Sequence, residues 1–349
     1  MINLEKEIRE QSSALKNVSV KMEEKVAEIA NEIKKKGIKK IAFAARGTSD
    51  HACIYAQYLL ALTTKIPCSL ATPSVVTEYG CEVDYSDELV VGVSQSGQAK
   101  DVIAVIKDAK KYGALTLAIT NEEDSPLAKE CDYALFCSCG KETSIAATKT
   151  FTTQLYLMGM LASELSGDEE LKKAMKELPR LVDDLLNHIG DDIGKFIDEY
   201  KDMPGASVVG RGLLYPIALE GALKVLETNN VKMRGYALSD FHHGPKGQIK
   251  KDDTIFVYAC KGVCLGDSLK LIEEMHSVGA DVIVITDTDE NFEKAKVLRF
   301  KNDTQYKYPD AISAYLCAIT MQMFAVKLTE VKGLDPDKSV LLKKVTITF

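Results

Sequence analysis

The strongest constraint on how this chain folds is an internal duplication with a spacing of about 165 residues. The tetrapeptide AARG at 44–47 matches VGRG at 209–212, and DELVVGV at 87–93 matches DDTIFVY at 252–258. A third pair, KYGALTLAITN at 111–121 and SVGADVIVITD at 277–287, follows in the same order and at nearly the same offset. Ordered matches of this kind predict two copies of one structural unit.

Each copy contains five strand-like apolar runs that alternate with helical segments. The runs are 40–45, 66–71, 88–93, 114–120 and 133–138 in the first copy, and 206–210, 231–236, 254–259, 281–286 and 297–301 in the second. This alternation predicts parallel sheets covered by helices on both faces. The expected fold class is therefore α/β, with two flavodoxin-like units, each a five-stranded parallel sheet flanked by helices.

The predicted organisation along the chain has five segments. They are N-terminal helices at 1–36, a first domain at 37–166, a helical linker at 167–196, a second domain at 197–330 and a C-terminal tail at 331–349. Gly167 and Pro179 interrupt the helical pattern between the copies, which places the linker there.

Composition and charge narrow the class of protein. Of the 349 residues, 46% are apolar and 27% are charged, which is typical of a folded globular protein. The net charge of −7 and the pI near 5.5 argue against nucleic acid as a partner. We expect no membrane-spanning run, and the N-terminus is too charged for a signal peptide, so the sequence predicts a cytoplasmic protein with no membrane partner.

The nine cysteines indicate a reducing compartment, because they are odd in number and scattered, without a CxxC motif. Cys137 and Cys139 lie in a strand-like run, where residues two apart share a face, so core packing is expected for both. No cluster of histidine and carboxylate residues has the spacing of metal ligands. Neither a metal nor another cofactor is therefore predicted.

A serine-rich turn occurs in the first copy only. Ser94-Gln95-Ser96-Gly97 follows its third strand, where the second copy has Ala259-Cys260-Lys261-Gly262, and Gly47-Thr48-Ser49 follows its first strand. Ligands of open α/β sheets bind beyond the carboxyl ends of the strands, where hydroxyl and helix N–H groups hold anions. We expect these two loops to hold a phosphate group; the alternative is that their serines only cap helices. No Walker motif occurs, which disfavours nucleoside triphosphates.

The second copy carries a charged stripe on an otherwise apolar helix. Glu220, Lys224 and Glu227 stand at i, i+4 and i+7 and so lie on one face. Carboxylates beside an ammonium group in a buried place are candidates for proton transfer. The alternative is a structural ion pair at the rim of the fold.

Two adjacent histidines, His242 and His243, precede Gly244-Pro245. Because Gly-Pro fixes a turn, His243 is expected in an irregular and exposed place, where a titrating imidazole suits acid–base chemistry on a sugar ring. Adjacent histidines are also common as plain surface residues, so this signal depends on its context.

These stretches resemble the sugar isomerase (SIS) family. EIREQSSAL, ARGTS, SQSGQ, AATKTFTTQL, GRGLLYPIALEGALKVLE and HGP occur in the family's order, from about residue 5 to the tail. The chain is most similar to the isomerase half of the glutamine–fructose-6-phosphate aminotransferases, which has two SIS domains. The resemblance implies a homodimer with sites shared between subunits and a hexose 6-phosphate bound between the copies.

The resemblance also implies individual roles. The implied substrate contacts are Gly47, Thr48, Ser49, Ser94, Gln95, Ser96 and Ala147. The implied catalytic residues are Glu227 for proton transfer between C1 and C2, Glu220 and Lys224 in support, His243 of the partner subunit for ring opening, and Lys344 for a Schiff base. Lys343 fits the spacing to Val-Thr, but the Leu-x-Lys pattern favours Lys344. Ala99 and Ala147 depart from the family, which has threonine and serine there.

The activity expected from this resemblance is that of a phosphosugar isomerase and deaminase. The chain begins with Met-Ile rather than a catalytic cysteine, and no glutaminase domain is seen. We therefore expect conversion of glucosamine 6-phosphate to fructose 6-phosphate and ammonia. Two alternatives stay open: a deglycase acting on fructosamine 6-phosphates, and a sugar-phosphate sensor without turnover. A sensor would have no use for Glu220, Lys224 and Glu227 together.

Overall fold

The computed structural model describes residues 2–338 and 344 and contains two five-stranded sheets. All ten predicted strands are present. In the first sheet they are β1 (Lys40–Ala44), β2 (Cys68–Leu70), β3 (Glu88–Val93), β4 (Leu115–Thr120) and β5 (Tyr133–Phe136). In the second they are β6 (Gly205–Gly210), β7 (Lys232–Ala237), β8 (Thr254–Tyr258), β9 (Asp281–Thr286) and β10 (Lys296–Arg299).

The two sheets have the same topology. Their strand orders are β2-β1-β3-β4-β5 and β10-β9-β8-β6-β7, so each copy has the order 2-1-3-4-5 along its own chain. Every pairing is parallel, as where Phe43 lies opposite Leu70 on one side and Val91 on the other. This is the flavodoxin-like order. The predicted α/β fold with two five-stranded parallel sheets is confirmed.

Helices precede, separate and follow the strands. They are α1 (Asn3–Arg9), α2 (Gln11–Lys36), α3 (Thr48–Thr64), α4 (Pro73–Thr77), α5 (Lys100–Lys111), α6 (Pro126–Glu130), α7 (Lys149–Ser166), α8 (Glu169–Leu186), α9 (Ile189–Gly194), α10 (Tyr215–Asn229), α11 (Leu238–His242), α12 (Leu265–Ser277) and α13 (Asp310–Lys332). Short 3-10 helices cover Ile197–Tyr200, Gly212–Leu214 and Pro245–Gln248.

The chain divides into two compact units. Unit one holds the first sheet and comprises residues 13–142, 149–176 and 344. Unit two holds the second sheet and comprises residues 2–12, 143–148 and 177–338. The predicted segment limits at 36, 166, 196 and 330 stay predictions, because this division groups residues by contact rather than by sequence repeat.

The first sheet is buried on both faces, as expected of a parallel sheet between helices. Ala42, Ala44 and Val90 pack in one cluster with the apolar stripe of α5, which includes Val102 and Ile106. Because successive residues of a strand face opposite sides of the sheet, Phe43 lies on the other face, where α3 and α7 pack against each other. The carboxyl ends of β1 and β3 are therefore held rigidly, and the candidate anion loops start there.

One expectation about apolar runs is wrong. Helix α13 is 23 residues long with a mean hydropathy of 1.5 over its most apolar window, enough by length and composition to cross a membrane. However, 94% of that window is buried inside the protein. Its apolar surface is covered by α10 and other elements of unit two, which is the environment of a core helix.

The predicted strand at 133–138 is too long. Strand β5 ends at Phe136, and Ser138 adopts a positive φ of 47° that a strand does not allow. The argument that a strand places Cys137 and Cys139 on one face is therefore wrong. Both cysteines are nevertheless buried in unit one, as core packing requires.

Candidate active site

The serine turn of unit one is fixed by its own backbone. The amide of Ser94 donates to the carbonyl of Ile119 at 3.0 Å, and the amide of Asn121 donates to the carbonyl of Gln95 at 3.0 Å. The amide of Gly97 closes the turn onto the carbonyl of Ser94 at 3.2 Å. Because the turn is tied to the end of β4, its main chain is held in place by hydrogen bonds that need no ligand.

Gly97 can only be glycine. Its φ is +60°, and a Cβ there would overlap the side chain of Ser125 and come within 3.0 Å of Thr120 Oγ1. The chain therefore approaches these hydroxyl groups more closely than any other residue would permit. The turn is correspondingly compact and surrounded by hydroxyl groups.

The serines do not act as N-cap residues of the helices that follow. The N-cap of α5 is Ala99 and that of α3 is Gly47, neither with a side-chain cap hydrogen bond. Ser94 lies five residues before Ala99, and Ser49 is the second residue of α3. The alternative that these hydroxyls only cap helices therefore loses its geometric basis.

A glutamine that the sequence analysis did not identify holds Ser49. Gln154 on α7 donates from Nε2 to Ser49 Oγ at 3.1 Å, and the two residues are 1% and 8% exposed. Since the Ser49 oxygen accepts this bond, its hydroxyl proton is the group that Ser49 can donate to a ligand. The signal for Gln154 was a polar residue on a helix whose positions 149–159 are all buried.

Lys344 is held by a buried carboxylate of unit one. Its Nζ lies 2.7 Å from Oε2 of Glu142, whose side chain is 0% exposed. Glu142 also accepts from the amide and the hydroxyl of Thr150, at 3.1 and 2.8 Å. Thr150 and Gln154 are one turn apart on α7, so Lys344 is tied to the same helix face as Ser49. Lys343 lies outside the described residues.

The charged stripe of α10 forms a linked triad in unit two. Lys224 Nζ lies 3.2 Å from Glu220 Oε1 and 2.7 Å from Glu227 Oε2. The side chains of Lys224 and Glu220 are 2% and 1% exposed, whereas that of Glu227 is 22% exposed. The triad is therefore buried at its inner end and opens at Glu227, unlike an ion pair at the rim.

Charge keeps Lys224 protonated in this buried place. Burial alone would lower the pKa of Lys224, but the carboxylates of Glu220 and Glu227 outweigh it and raise the pKa above its ordinary value of 10.5. Lys224 is thus an ammonium group at neutral pH and donates to both carboxylates. It fixes the carboxyl group of Glu227 at the accessible end of the stripe.

The other predicted site residues occupy simpler positions. His243 is the exposed C-cap of α11, and its amide donates to the carbonyl of Asp240 at 3.0 Å. Ala147 is half-buried and offers a methyl group where a hydroxyl was expected from the resemblance. Of the predicted catalytic residues in unit two, the structure brings Glu220, Lys224 and Glu227 into contact with one another.

The turn of unit two that corresponds to the serine turn carries acidic neighbours. A Cβ on Gly262 would lie 3.3 Å from Asp310 Oδ1. Burial, assisted by the charge of Asp287, raises the pKa of Asp310 to about 6. Asp287 accepts from the amide of Lys261 at 2.7 Å and from the hydroxyl of Ser313 at 2.7 Å. Carboxylates at this turn disfavour an anion there.

Two flavodoxin-like units, one with the hydroxyl-lined turn and the other with the buried triad of α10, make up the described part of the chain. The SIS domain family matches residues 34–164 and 205–329, which lie in the two copies and cover most of the chain. The chain belongs to this family.

Named relatives agree with this assignment. The chain is 32% identical to the glutamine–fructose-6-phosphate aminotransferase of Thermococcus kodakarensis over 98% of its own length. It spans 57% of the length of that relative. The C-terminal domain of the Francisella tularensis glucosamine-fructose-6-phosphate aminotransferase superposes with a TM-score of 0.87 at 27% identity, covering 97% of this chain and 98% of that chain. A glucosamine-6-phosphate deaminase from Thermotoga maritima shares the fold, with a TM-score of 0.76 at 23% identity, covering 99% and 100%.

Proposed function

We propose that this protein converts glucosamine 6-phosphate and water to fructose 6-phosphate and ammonia. In this reaction a proton moves from C2 to C1 of the open-chain amino sugar, which turns the C2 amine into an imine. Water then adds to C2 and ammonia leaves, so atoms and charge balance. The protein must therefore hold the phosphate group and supply one acid–base group.

The buried triad is the observation that carries the proposal. Lys224 donates at 2.7 Å to one oxygen of Glu227, and Glu227 is the only member of the triad with more than 2% exposure. A carboxylate fixed in this way can take a proton from C2 and return it to C1. We assign this role to Glu227, with Lys224 and Glu220 as its support.

The anion turn of unit one supports the phosphate part of the proposal. Ser94, Ser96 and Ser49 supply hydroxyl donors, and the loop needs no lysine to hold a small dianion by several neutral donors. Gln95 belongs to the same turn, and Gly47 and Thr48 to the other loop.

The names of the relatives support an amino sugar as the substrate. The aminotransferases that align with this chain are named for a reaction that places an amino group on fructose 6-phosphate. Running the sugar part of that reaction backwards releases ammonia. The fold is compatible with this direction, since it also occurs in a protein named glucosamine-6-phosphate deaminase. Lys344 is a primary amine that can form an imine with the keto sugar by loss of one water, which hydrolysis of the imine returns when the sugar is released, and we propose this role for it.

The test is ammonia release from glucosamine 6-phosphate, measured together with fructose 6-phosphate. Glu227→Gln should reduce kcat by about 10²- to 10⁴-fold, the usual contribution of a general base. Binding of fructose 6-phosphate, measured by calorimetry, should change little. Glu273→Gln, an exposed glutamate on α12, is the matched control and should keep full activity.

The same assay separates the alternatives. Release of a free amino acid from fructosamine 6-phosphates, without ammonia from glucosamine 6-phosphate, would show a deglycase. Tight binding without turnover of any hexose phosphate would show a sensor. Equal loss of binding and turnover in Glu227→Gln would show that the triad is structural.

We further propose that the protein is a homodimer and that His243 acts at the site of the other subunit. Light scattering measures the assembly. Co-expressed His243→Ala and Glu227→Gln chains should regain about a quarter of wild-type activity, because half of the random dimers are mixed and each mixed dimer has one intact site. No recovery in dimers shown to be mixed would mean that His243 serves its own subunit or has no role.

A further inference from the structure

An ion pair links the two anion loops of unit one. Arg46 Nε donates to Asp101 Oδ2 at 2.6 Å. Arg46 directly precedes Gly47, where the first loop begins, and Asp101 is the second residue of α5, four residues after Gly97 of the serine turn. The pair therefore joins the end of β1 to the start of the helix that follows β3.

The same pair occurs in unit two. Arg211 follows β6, as Arg46 follows β1, and its Nη1 lies 3.0 Å from Oδ2 of Asp267 in the first turn of α12. The pair thus belongs to both copies, whereas the serines belong to one. The pair of unit two can therefore be compared with that of unit one to see how the ion pair behaves where no serine turn is present.

The two pairs differ in burial. Asp101 has a side chain that is only 2% exposed, whereas Asp267 is 40% exposed. The arginines are similar, at 47% and 40% for Arg46 and Arg211. A buried carboxylate depends on its partner far more than an exposed one does. The ion pair of unit one, the unit that carries the hydroxyl groups, should therefore contribute more to the local structure than that of unit two.

Gly47 makes the first loop dependent on such a tie. Its φ of 56° and ψ of −130° are open to glycine and strained for other residues, so the loop has no intrinsic preference for this shape. Ser49 follows two residues later and must reach Gln154. An anchor immediately before Gly47 limits where the loop can lie.

We propose that Arg46 and Asp101 are positioning residues for the anion pocket. The pair holds the Gly47 loop beside the serine turn, so that the hydroxyl groups of the two loops converge on one phosphate group. This inference rests on the proposed function, because it names what shapes the pocket of that same site. Neither residue takes part in the proton transfer.

The decisive variant is Asp101→Asn. It removes a negative charge close to the phosphate pocket, so a purely electrostatic view expects tighter binding of the anion. A positioning role gives the opposite result, because the neutral amide holds Arg46 less strongly. We expect KM for glucosamine 6-phosphate and Kd for inorganic phosphate to rise about 10-fold or more, as for the loss of one charge-assisted hydrogen bond. kcat should stay within about twofold.

Arg46→Gln and the double variant complete a cycle. Arg46→Gln should raise KM and Kd by about 10- to 100-fold, since it also leaves a buried carboxylate unpaired. Arg46→Gln/Asp101→Asn, with a neutral amide pair, should bind better than Arg46→Gln alone, which reports coupling between the two positions. Arg46→Lys should recover only part of the affinity, because an ammonium group lacks the planar donor geometry.

Controls keep the outcomes separate. Arg211→Gln and Asp267→Asn alter the same pair in unit two and should leave KM and phosphate affinity unchanged. Melting curves identify any variant that fails to fold; the double variant, which leaves no unpaired charge, then serves in place of Arg46→Gln. Tighter or unchanged phosphate binding in folded Asp101→Asn would overturn the inference. A wild-type protein that binds neither phosphate nor hexose 6-phosphate would instead overturn the proposed function.

Discussion

Replacing Lys224 by methionine should destabilise the protein strongly, because it removes the ammonium group that balances the charge of two carboxylates, one of which is buried. Glu220 is 1% exposed, so water cannot replace the lost ammonium group, whereas Glu227 at 22% exposure can be partly rehydrated. Removing one partner of a buried pair costs about 3 to 5 kcal/mol. Most of this cost should come from Glu220, and it corresponds to a fall in Tm of about 6 to 20 °C for a domain of this size.

The measurement is urea unfolding followed by far-UV circular dichroism, because the chain has no tryptophan to report by fluorescence. Glu220→Gln/Lys224→Met removes both buried charges and should recover much of the lost free energy of unfolding. Lys270→Met, at an exposed lysine on α12, is the matched control and should change it by less than about 0.5 kcal/mol.

The pH dependence follows from the raised pKa of Lys224. A folded-state pKa above the unfolded value of 10.5 gives a stabilisation that is complete below 10.5 and lost as pH rises through the folded pKa. The contribution of the Lys224 ammonium group to the stability of the wild-type protein should therefore be constant below about pH 10 and be lost above it. A difference between wild type and Lys224→Met below about 1 kcal/mol, the average effect of any substitution, would refute the reasoning from burial.

Two further predictions concern the turns of the two units. Asp310→Asn should stabilise the protein near neutral pH by up to about 3 kcal/mol and have little effect near pH 4. The pKa of Asp310 is raised from 3.8 to about 6 in the folded state, so ionisation of this carboxyl group destabilises the wild-type protein as pH rises through this range. Urea midpoints at the two pH values measure the effect, and equal midpoint shifts would contradict it. Gly97→Ala should abolish phosphate binding in calorimetry, because the added Cβ overlaps Ser125. Gly113→Ala is the control: Gly113 also has a positive φ, +76°, but open space around it, so this variant should lower stability without affecting binding. Retained binding in Gly97→Ala would contradict the prediction.

The sheets could be predicted because their signals are local. A parallel strand buried on both faces is a short apolar run, and each run here is bounded by a glycine, a charge or a turn residue. The duplication added an independent check, since a strand in one copy requires one in the other. The excess length at 137–138 arose because Cys137 and Ser138 continue an apolar, strand-like pattern, while only the structure shows the positive φ of Ser138.

The candidate site was predicted less completely, because its supports are long-range pairs. Gln154 lies 105 residues from Ser49, and Asp101 lies 55 residues from Arg46. Arg46 was noticed only as a marker of the repeat, since nothing local indicates which carboxylate it meets. The α10 stripe could be predicted, because residues three or four positions apart on a helix lie on one face and its three charged residues have this spacing.

The asymmetry between the units follows from what packs against one turn. Gly97 and Gly262 both have positive φ at the end of the third strand of their sheet. Against Gly97 lie the hydroxyl groups of Ser125 and Thr120, whereas Asp310 lies against Gly262. An anion about 4 Å from an ionised carboxylate meets a repulsion of about 4 kcal/mol at an effective dielectric constant near 20. A hydroxyl group imposes no such penalty and can donate, so the side chains packed against the turn, together with the serines of the turn itself, favour unit one for the proposed phosphate group.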